Sequence, residues 1–394
     1  MSDRLTRRQL LAGAGLAAAA GLAGCGSGKS TTPQVRQTTP PSSQSASPKP
    51  TRNEAALRKK IASLLVVGFR GQSVNSNDWI VKAIKDGLGG IILFDRDQLT
   101  GNKRNITSPS QVKKLITSLR NAAPGPLIVS IDQEGGLISR LNPSNGFPAT
   151  KSEAQIGAIN QTAQTVAWAQ GMVESMKSIG VTMNFAPVVD LNINKNNPAI
   201  AKLGRSFSAN PDVVVSNATT EIKVHRAGGI KTSIKHFPGF GSATGNTDFG
   251  VVDVSKSWRR SELEPFQRLI KTGMADSVLV AHLLNTQIDP SRPMSLSKKA
   301  ITDLLRGQLG FKGPVVSDDM QATGITKKYG HDEALSLALQ AGMDLLVYAN
   351  QQQYDAGIVE KTLDAAVKLV KNGTLTEAQI DAAVARVDTL RPKK

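Results

Sequence analysis

The stretch KHFPGFGSATGNTDFG, Lys235 to Gly250, decides the fold because it marks where a strand ends and a loop begins. It continues the β-branched run Thr232-Ser233-Ile234 and leaves that run through a Lys-His pair and a Phe-Pro-Gly break. Four glycines follow, which predicts a long mobile loop. At a barrel strand end, a cation and an imidazole with a glycine-rich lid indicate a site for a polar substrate. Taken alone, the stretch is equally consistent with a surface loop in which Lys235 and His236 are ordinary solvated residues.

The composition fits one large globular domain. The chain has 394 residues, 40% of them apolar, and α/β barrels often reach this size as a single domain. Its net charge is +17, but aromatic residues make up only 4% and show no base-stacking pattern, so nucleic acid is not an expected partner. An anionic cell envelope, or simply a solvated basic surface, accounts better for the charge. No apolar run after residue 30 is long enough to span a membrane.

The first 53 residues have the composition of a leader and a tether. Residues 1–25 begin with a twin-arginine pattern at Arg7-Arg8, continue with an Ala/Gly/Leu region and end at Leu22-Ala23-Gly24-Cys25. This tetrapeptide resembles a lipobox, which predicts acylation of Cys25 and a lipid-anchored protein on the outer face of the cell membrane. The alternative is a plain signal peptide with an incidental cysteine. Residues 26–53 are rich in Ser, Thr and Pro and predict a disordered tether.

Residues 54–394 alternate short apolar runs with longer helical stretches. The runs are nearly continuous rather than alternating, which is typical of parallel strands buried on both faces. Eight strands with intervening helices predict a TIM (β/α)8 barrel in a single domain. A doubly wound open sheet is the alternative, but no GxGxxG follows the first run and the chain contains no P-loop. The apolar runs are 64–69, 90–94, 127–131, 181–185, 232–235, 277–281, 314–317 and 344–347.

Six clusters of unusual polar residues follow five of these runs, where a barrel places its site. Each has an ordinary structural explanation: Ser317 or Asp319 could cap a helix, Asp132 could close a turn, and Arg205 could form a bridge with Asp190. Six clusters on one predicted rim nevertheless favour a shared function. The clusters are Asp132 to Gly136 with Arg140, Asn184 with Asp190, Gly204 to Phe207, Lys235 with His236, His282, and Ser317 to Met320.

These residue types suit glycoside hydrolysis. Carboxylates, Arg and Lys hold sugar hydroxyls through charge-assisted hydrogen bonds. A retaining hydrolase also needs a carboxylate nucleophile beside the anomeric carbon and a proton donor at the leaving oxygen. One cysteine and four scattered histidines form no ligand cluster, so no metal or cofactor is expected.

The motifs, taken together, resemble those of the bacterial β-N-acetylglucosaminidases of glycoside hydrolase family 3, from Ala55 to Leu390. The resemblance implies that Asp318 is the nucleophile. It also implies that the other matching positions bind a terminal N-acetylglucosamine, namely Asp132, Arg140, Arg205, Lys235 and His236. The motifs that carry it are DQEGG at 132–136, NFAPVVD at 184–190, GRSF at 204–207, KHFPG at 235–239, SRPMSLS at 291–297 and VVSDDM at 315–320.

The chain departs from the family in the loop. The family has an Asp-Ser-His triplet whose His donates the proton, thirteen residues after the motif Lys; here the triplet is Asn246-Thr247-Asp248. Phe240 and Leu137 also replace a family His and Arg. Three explanations stay open: Asp248 is the acid/base, the protein has lost hydrolysis but binds glycans, or another residue supplies the proton.

Two functional hypotheses of different classes follow. The first is a monomeric, surface-anchored, exo-acting β-N-acetylhexosaminidase that acts on peptidoglycan fragments. The second is a non-catalytic lipoprotein that binds envelope glycans. A solute-binding lipoprotein of a transporter fits the leader but not the eight-strand pattern.

Overall fold

A computed structural model describes residues 52–393, which belong to one compact unit. Cys25, the leader 1–25 and the tether up to residue 51 lie outside the described residues. The tether was expected to end at residue 53, and the first helix begins at Arg52. No helix among residues 52–393 combines the length and hydropathy that a bilayer span requires.

The core of the structure is a parallel barrel. The strand segments are β1 Leu65–Gly68, β2 Gly90–Leu93, β3 Ile128–Ile131, β4 Met183–Asn184, β5a Lys231–Thr232, β5b Ile234–Phe237, β6 Val278–Val280, β7 Val315–Asp319 and β8 Leu345–Tyr348. Each strand pairs with the next one in the chain, from β1 through β2, β3 and β4 to β5a and from β5b through β6 and β7 to β8, and β8 pairs with β1.

The barrel closes through the fifth strand, which is interrupted at one residue. Segments β5a and β5b are the two edges of the nine-stranded sheet, and Ser233 alone separates them in the chain. The Ser233 N–H donates to Asn184 O at 3.2 Å and Ala186 O at 3.1 Å, so the strand stays paired across the interruption. The predicted (β/α)8 barrel is therefore confirmed, and the open-sheet alternative is wrong because the sheet has no free edges at β5.

Helices surround the barrel. They are α1 Arg52–Ala62, α2 Trp79–Lys85, α3 Pro109–Ala122, α4 Glu153–Ile159, α5 Thr162–Ile179, α6 Pro211–Ala227, α7 Glu264–Lys271, α8 Thr323–Thr326, α9 His331–Ala341, α10 Ile358–Lys371 and α11 Glu377–Val387, with a π-helix at Lys299–Gln308 between β6 and β7. The segment between β3 and β4 contains two helices because Asn160 takes a left-handed conformation, with φ of 48°, and ends α4.

Burial explains why the strands form. Every barrel strand except β5a and β7 is buried at all of its residues, and the apolar side chains fill one continuous core. Full burial of a Val, Leu or Ile side chain stabilises the fold by roughly 1.5–3 kcal/mol. Parallel strands that alternate with helices all end at the same rim, so the polar residues after each strand converge there.

Candidate active site

One cavity of about 280 Å³ opens at this rim. Residues on or after seven of the barrel strands, β2 to β8, and from the loop after β5b contribute to its wall. The structure brings together all seven residues that the sequence placed in a site and the structure describes: Asp132, Arg140, Arg205, Lys235, His236, Asp248 and Asp318.

Two cations share one buried carboxylate on one side of the cavity. Lys235 Nζ lies 2.6 Å from Glu134 Oε1 and 3.0 Å from Asp132 Oδ1. Arg205 forms two hydrogen bonds with Glu134, of 2.7 and 2.8 Å. We call Asp132, Glu134, Arg205 and Lys235 the ion cluster. Its cations approach the cavity from fixed positions, because each is held by a carboxylate.

The pKa values of the ion cluster show that it is fully charged. Burial alone would raise the pKa of Glu134, but Arg205 and Lys235 hold it far below its usual range. Burial would likewise raise the pKa of Asp132, and Lys235 followed by Arg140 outweighs it and lowers that pKa. The pKa of Lys235 is raised, because the carboxylates of Glu134 and Asp132 overcome the effect of burial.

The ion pair between Arg205 and Asp190 that the sequence allowed is not formed, because the Asp190 carboxylate bonds to His236 and to the backbone of Phe240 instead. Asp190 Oδ2 lies 2.7 Å from His236 Nδ1, and Asp190 Oδ1 accepts from Phe240 N–H at 2.7 Å. Nδ1–H of His236 therefore donates to Asp190, and Nε2 faces Arg205 Nη2 at 3.1 Å as an acceptor. Asp190 thus fixes both the ring orientation of His236 and the start of the loop.

Arg140 completes this side of the cavity. Its Nη2 lies 3.4 Å from Asp132 Oδ2, and its guanidinium lies 5.3 Å from the centre of the Phe94 ring. Nε of Arg140 is buried and has no hydrogen-bond partner among residues 52–393. A buried donor without a partner is costly, and a substrate oxygen would satisfy it.

The end of β7 presents two adjacent carboxyl groups with different surroundings. Asp318 is half-buried, lines the cavity and accepts the Asp319 N–H at 2.9 Å through Oδ1. Asp319 Oδ1 accepts hydrogen bonds from Ala349 N–H at 2.9 Å and Gln321 N–H at 3.1 Å. Asp319 therefore caps backbone N–H groups, which is the structural role that the sequence offered as its alternative. Oδ2 of Asp319 is buried without a partner among the described residues, and burial, with Asp248 and Asp318 nearby, raises its pKa to about 7.

The loop after β5b carries Asp248 into the same cavity. The loop is attached to α8 by two backbone hydrogen bonds, from Gly324 N–H to Thr247 O at 2.8 Å and from Thr323 N–H to Asp248 O at 3.2 Å. Asn246 Oδ1 accepts the Asp248 N–H at 2.9 Å. The structure therefore shows the loop in a docked position, with Asp248 directed at the cavity.

Asp248 holds a proton more readily than an ordinary carboxyl. Burial, and then the neighbouring carboxylate of Asp318, raises the pKa of Asp248 to about 6, against the lowering effect of Arg205 and His236. Asp248, Asp318 and Asp319 lie together at the cavity, and the pKa values of Asp248 and Asp319 are both raised. We call these three residues the carboxyl group cluster. A carboxyl group that holds a proton beside a second carboxyl that can attack is the arrangement that a retaining glycosidase uses.

Not every strand-end residue faces the cavity. His282 is buried behind β7, with Nδ1 2.7 Å from Ser295 Oγ and Nε2 2.8 Å from Asp319 O. Asn184 is also buried and bonds to Gln133 N–H at 2.9 Å. Both residues support the rim rather than forming it. No group of three or more His, Cys or acidic residues within 52–393 is arranged to hold a metal ion.

Two residues of the site, Glu134 and Asp319, were not assigned a binding or catalytic role from the sequence. Glu134 is the centre of the ion cluster, and its place inside the DQEGG motif, two residues after Asp132, was the available signal. Asp319 was assigned only a capping role, although its unpartnered oxygen and raised pKa belong to the carboxyl group cluster. No sequence pattern separates two adjacent aspartates by their burial.

Comparison with known proteins agrees with this geometry. The sequence profile described as Glycosyl hydrolase family 3 N terminal domain matches residues 56–390. The chain belongs to glycoside hydrolase family 3. Within the family, it is 30% identical to Beta-hexosaminidase A of Pseudoalteromonas piscicida over 332 residues, which is 78% of this chain and 53% of that protein. It is 32% identical to Beta-hexosaminidase of Stenotrophomonas maltophilia over 308 residues, 75% of this chain and 86% of that protein.

The fold agrees with a solved member of the family. A glycoside hydrolase family 3 β-N-acetylglucosaminidase from Paenibacillus sp. superposes with a TM-score of 0.77 at 33% identity, covering 85% of this chain and 62% of that protein. The chain thus spans about half the length of the Pseudoalteromonas relative and under two thirds of the Paenibacillus one, but most of the Stenotrophomonas one. The resemblance that the motifs indicated is confirmed at the level of the family.

Proposed function

We propose that this protein is a retaining, exo-acting β-N-acetylhexosaminidase that removes terminal N-acetylglucosamine from glycans such as peptidoglycan fragments. The observation that carries the proposal is the position of Asp248, which lines the same cavity as Asp318 and has a pKa raised to about 6. The relatives named above as hexosaminidases or as an N-acetylglucosaminidase support the choice of sugar.

The ion cluster binds the terminal sugar. Asp132 accepts hydrogen bonds from sugar hydroxyls, while Lys235 and Arg140 donate to sugar oxygens. Because these side chains already hold one another in position, binding requires little reorganisation. The volume of the cavity, about 280 Å³, suits one terminal sugar ring, which is the basis for proposing exo action.

Hydrolysis then takes two steps. The ionised carboxylate of Asp318 bonds to the anomeric carbon as the glycosidic C–O bond breaks, and Asp248 gives its proton to the leaving oxygen. In the second step Asp248, now ionised, takes a proton from water. That water attacks the anomeric carbon and releases Asp318, so the configuration at this carbon is retained.

A chromogenic aryl N-acetylglucosaminide tests the proposal. The purified protein should cleave it, and Asp318→Asn should lower the rate by orders of magnitude while leaving sugar binding largely intact, because the loss falls on the transition state. A 5-fluoro glycosyl trap should label a single peptide containing Asp318. Labelling of a peptide with Asp132 or Asp190 would overturn the assignment of the nucleophile.

A non-catalytic glycan-binding protein is the second candidate. One observation favours it: Asn246 cannot titrate, and in this structure its side chain bonds the backbone of Asp248 rather than a catalytic partner. Such a protein would bind N-acetylglucosamine, with a signal that Lys235→Met abolishes, yet hydrolyse neither activated nor natural substrates. Hydrolysis that depends on Asp318 rules this candidate out.

We further propose that the protein is lipid-anchored through Cys25. The sequence Leu22-Ala23-Gly24-Cys25 supports this, and the Ser/Thr/Pro-rich residues that follow would keep the barrel away from the membrane surface. Cys25→Ala should move the protein from the membrane fraction to the soluble fraction. A variant that still sediments with membranes after detergent-free washing would show that another anchor exists.

A further inference from the structure

One exposed aromatic side chain lies at the mouth of the cavity. In the described chain, six large apolar side chains are exposed, and Phe249 is the one among them that lines the cavity. Its side chain is 68% exposed.

The position of Phe249 follows from the loop that carries it. Its N–H donates to Asn246 O at 3.1 Å, which closes a tight turn around Thr247 and Asp248. The two hydrogen bonds from α8 to Thr247 O and Asp248 O fix that turn against the barrel. These bonds hold the backbone of Phe249 at the cavity, next in the chain to Asp248, and its side chain is exposed there.

Part of the cavity lining is uncharged, which limits the classes of chemical group that can bind there. Three glutamines, Gln98, Gln351 and Gln352, contribute to the lining, and Oε1 of Gln352 is buried without a partner among residues 52–393. An apolar surface beside neutral amides matches a sugar ring, which has C–H faces and hydroxyl edges. An anionic or cationic group would find no counter-charge among these residues.

We propose that Phe249 is the platform of a leaving-group subsite, on which the second pyranose ring of the substrate packs its C–H face. This inference rests on the proposed function, because the group that Asp248 protonates is the oxygen of that second ring. The ion cluster takes the terminal sugar, so the ring beyond the scissile bond lies at the mouth, where Phe249 is exposed. Gln98, Gln351 and Gln352 line the same cavity and supply amide groups for hydrogen bonds with the hydroxyl edge of that ring.

Three N-acetylglucosaminides with different leaving groups test this subsite. They are the N,N′-diacetylchitobiose disaccharide, the p-nitrophenyl glycoside and the β-glycosyl fluoride, which has no ring beyond the scissile bond. Phe249→Ala should lower kcat/KM roughly ten-fold on the two ring-bearing substrates, mainly through KM, and leave the fluoride unchanged. Phe249→Trp should restore the loss, because a larger aromatic face supplies the same contact.

The control is Val251→Ala, which removes an exposed apolar side chain from the same loop outside the cavity lining. It should change none of the three rates. An equal loss on the fluoride in Phe249→Ala would show that Phe249 only positions the loop, and no loss on any substrate would show that there is no platform. If the unmodified protein cleaves none of the three substrates, the proposed function itself fails. That result is distinguishable from the two outcomes above, because both of them require an active unmodified protein.

Discussion

The two sides of the cavity are built on opposite principles. In the ion cluster, every charged group has an opposite charge within hydrogen-bonding distance, and burial is offset by pairing. In the carboxyl group cluster, three like groups lie together, one oxygen has no partner in the described chain, and burial raises two pKa values. Pairing favours the charged state on the first side, whereas on the second side the pKa values of Asp248 and Asp319 are raised to about 6 and about 7.

This difference separates binding from chemistry. A sugar is held best by groups whose positions and charges do not change during the reaction. A proton can be given and taken back only by a group whose two protonation states are close in free energy. Pairing therefore favours the first task and would prevent the second, since an adjacent cation would hold Asp248 in its ionised form.

The strongest test of the reacting side is Asp248→Ala with substrates of different leaving-group ability. A good aryl leaving group needs little protonation, so kcat/KM of this variant on it, which reports the first step, should be nearly normal, whereas kcat should fall because Asp248 also takes the proton from water in the second step. A natural disaccharide should be cleaved about 10²–10⁴-fold more slowly, the usual contribution of general acid catalysis. Steady-state kcat/KM on both substrates is the measurement. Equal cleavage of both by the variant would show that Asp248 is not the acid.

The ion cluster is tested most directly by changing Glu134, because both of its cations bond to this carboxylate. Glu134→Gln leaves Lys235 and Arg205 buried with one carboxylate fewer, and breaking such a pair lowers the free energy of unfolding by about 3–5 kcal/mol. Urea unfolding measures the change. The matched control is Glu264→Gln, whose partner Arg268 is half-exposed like Glu264 itself, and it should cost at most about 1 kcal/mol. Equal effects in the two variants would mean that the ion cluster does not stabilise the rim.

The pH dependence of kcat/KM tests whether the raised pKa of Asp248 controls the reaction. Asp248 acts in its protonated form and has a pKa of about 6, so kcat/KM on the disaccharide should fall as the pH rises through about 6, approaching ten-fold per pH unit above it. Asp318, Asp319, Arg205 and His236 face this carboxyl and set the midpoint. In Asp248→Ala, the residual rate on the aryl glycoside should lack this decline. A decline that persists there would assign it to another group.

The smallest effect is expected from the attachment of the loop. A Cβ added at Gly324 would lie 3.0 Å from Thr247 O and 3.2 Å from Gly250 O, so Gly324→Ala displaces the loop by a few tenths of an ångström. We expect a several-fold loss of kcat/KM on the disaccharide and little change on the aryl glycoside, since only proton transfer depends on that distance. Gly330→Ala, where a Cβ meets open space, is the control. Equal effects in both variants would contradict this account.

The barrel was predictable because most of its strands lie in nearly continuous apolar runs, and because strand ends in such a fold must converge. The seven cavity residues were named in the sequence for the same reason, with motif resemblance assigning their roles. Pair partners were not predictable: Arg205 bonds to Glu134 instead of Asp190, because residues far apart in the chain meet only after folding.

The two hydrogen bonds between α8 and the loop also bear on how fast products leave. They connect the loop after β5b, which carries Asp248, to the helix that directly follows Asp318 and Asp319. Each bond contributes roughly 1 kcal/mol, so separating the loop from α8 costs about 2 kcal/mol and leaves the open form populated at a few per cent. We therefore expect opening of these two hydrogen bonds to limit kcat on rapidly cleaved substrates. Added solvent viscosity should then lower kcat on those substrates.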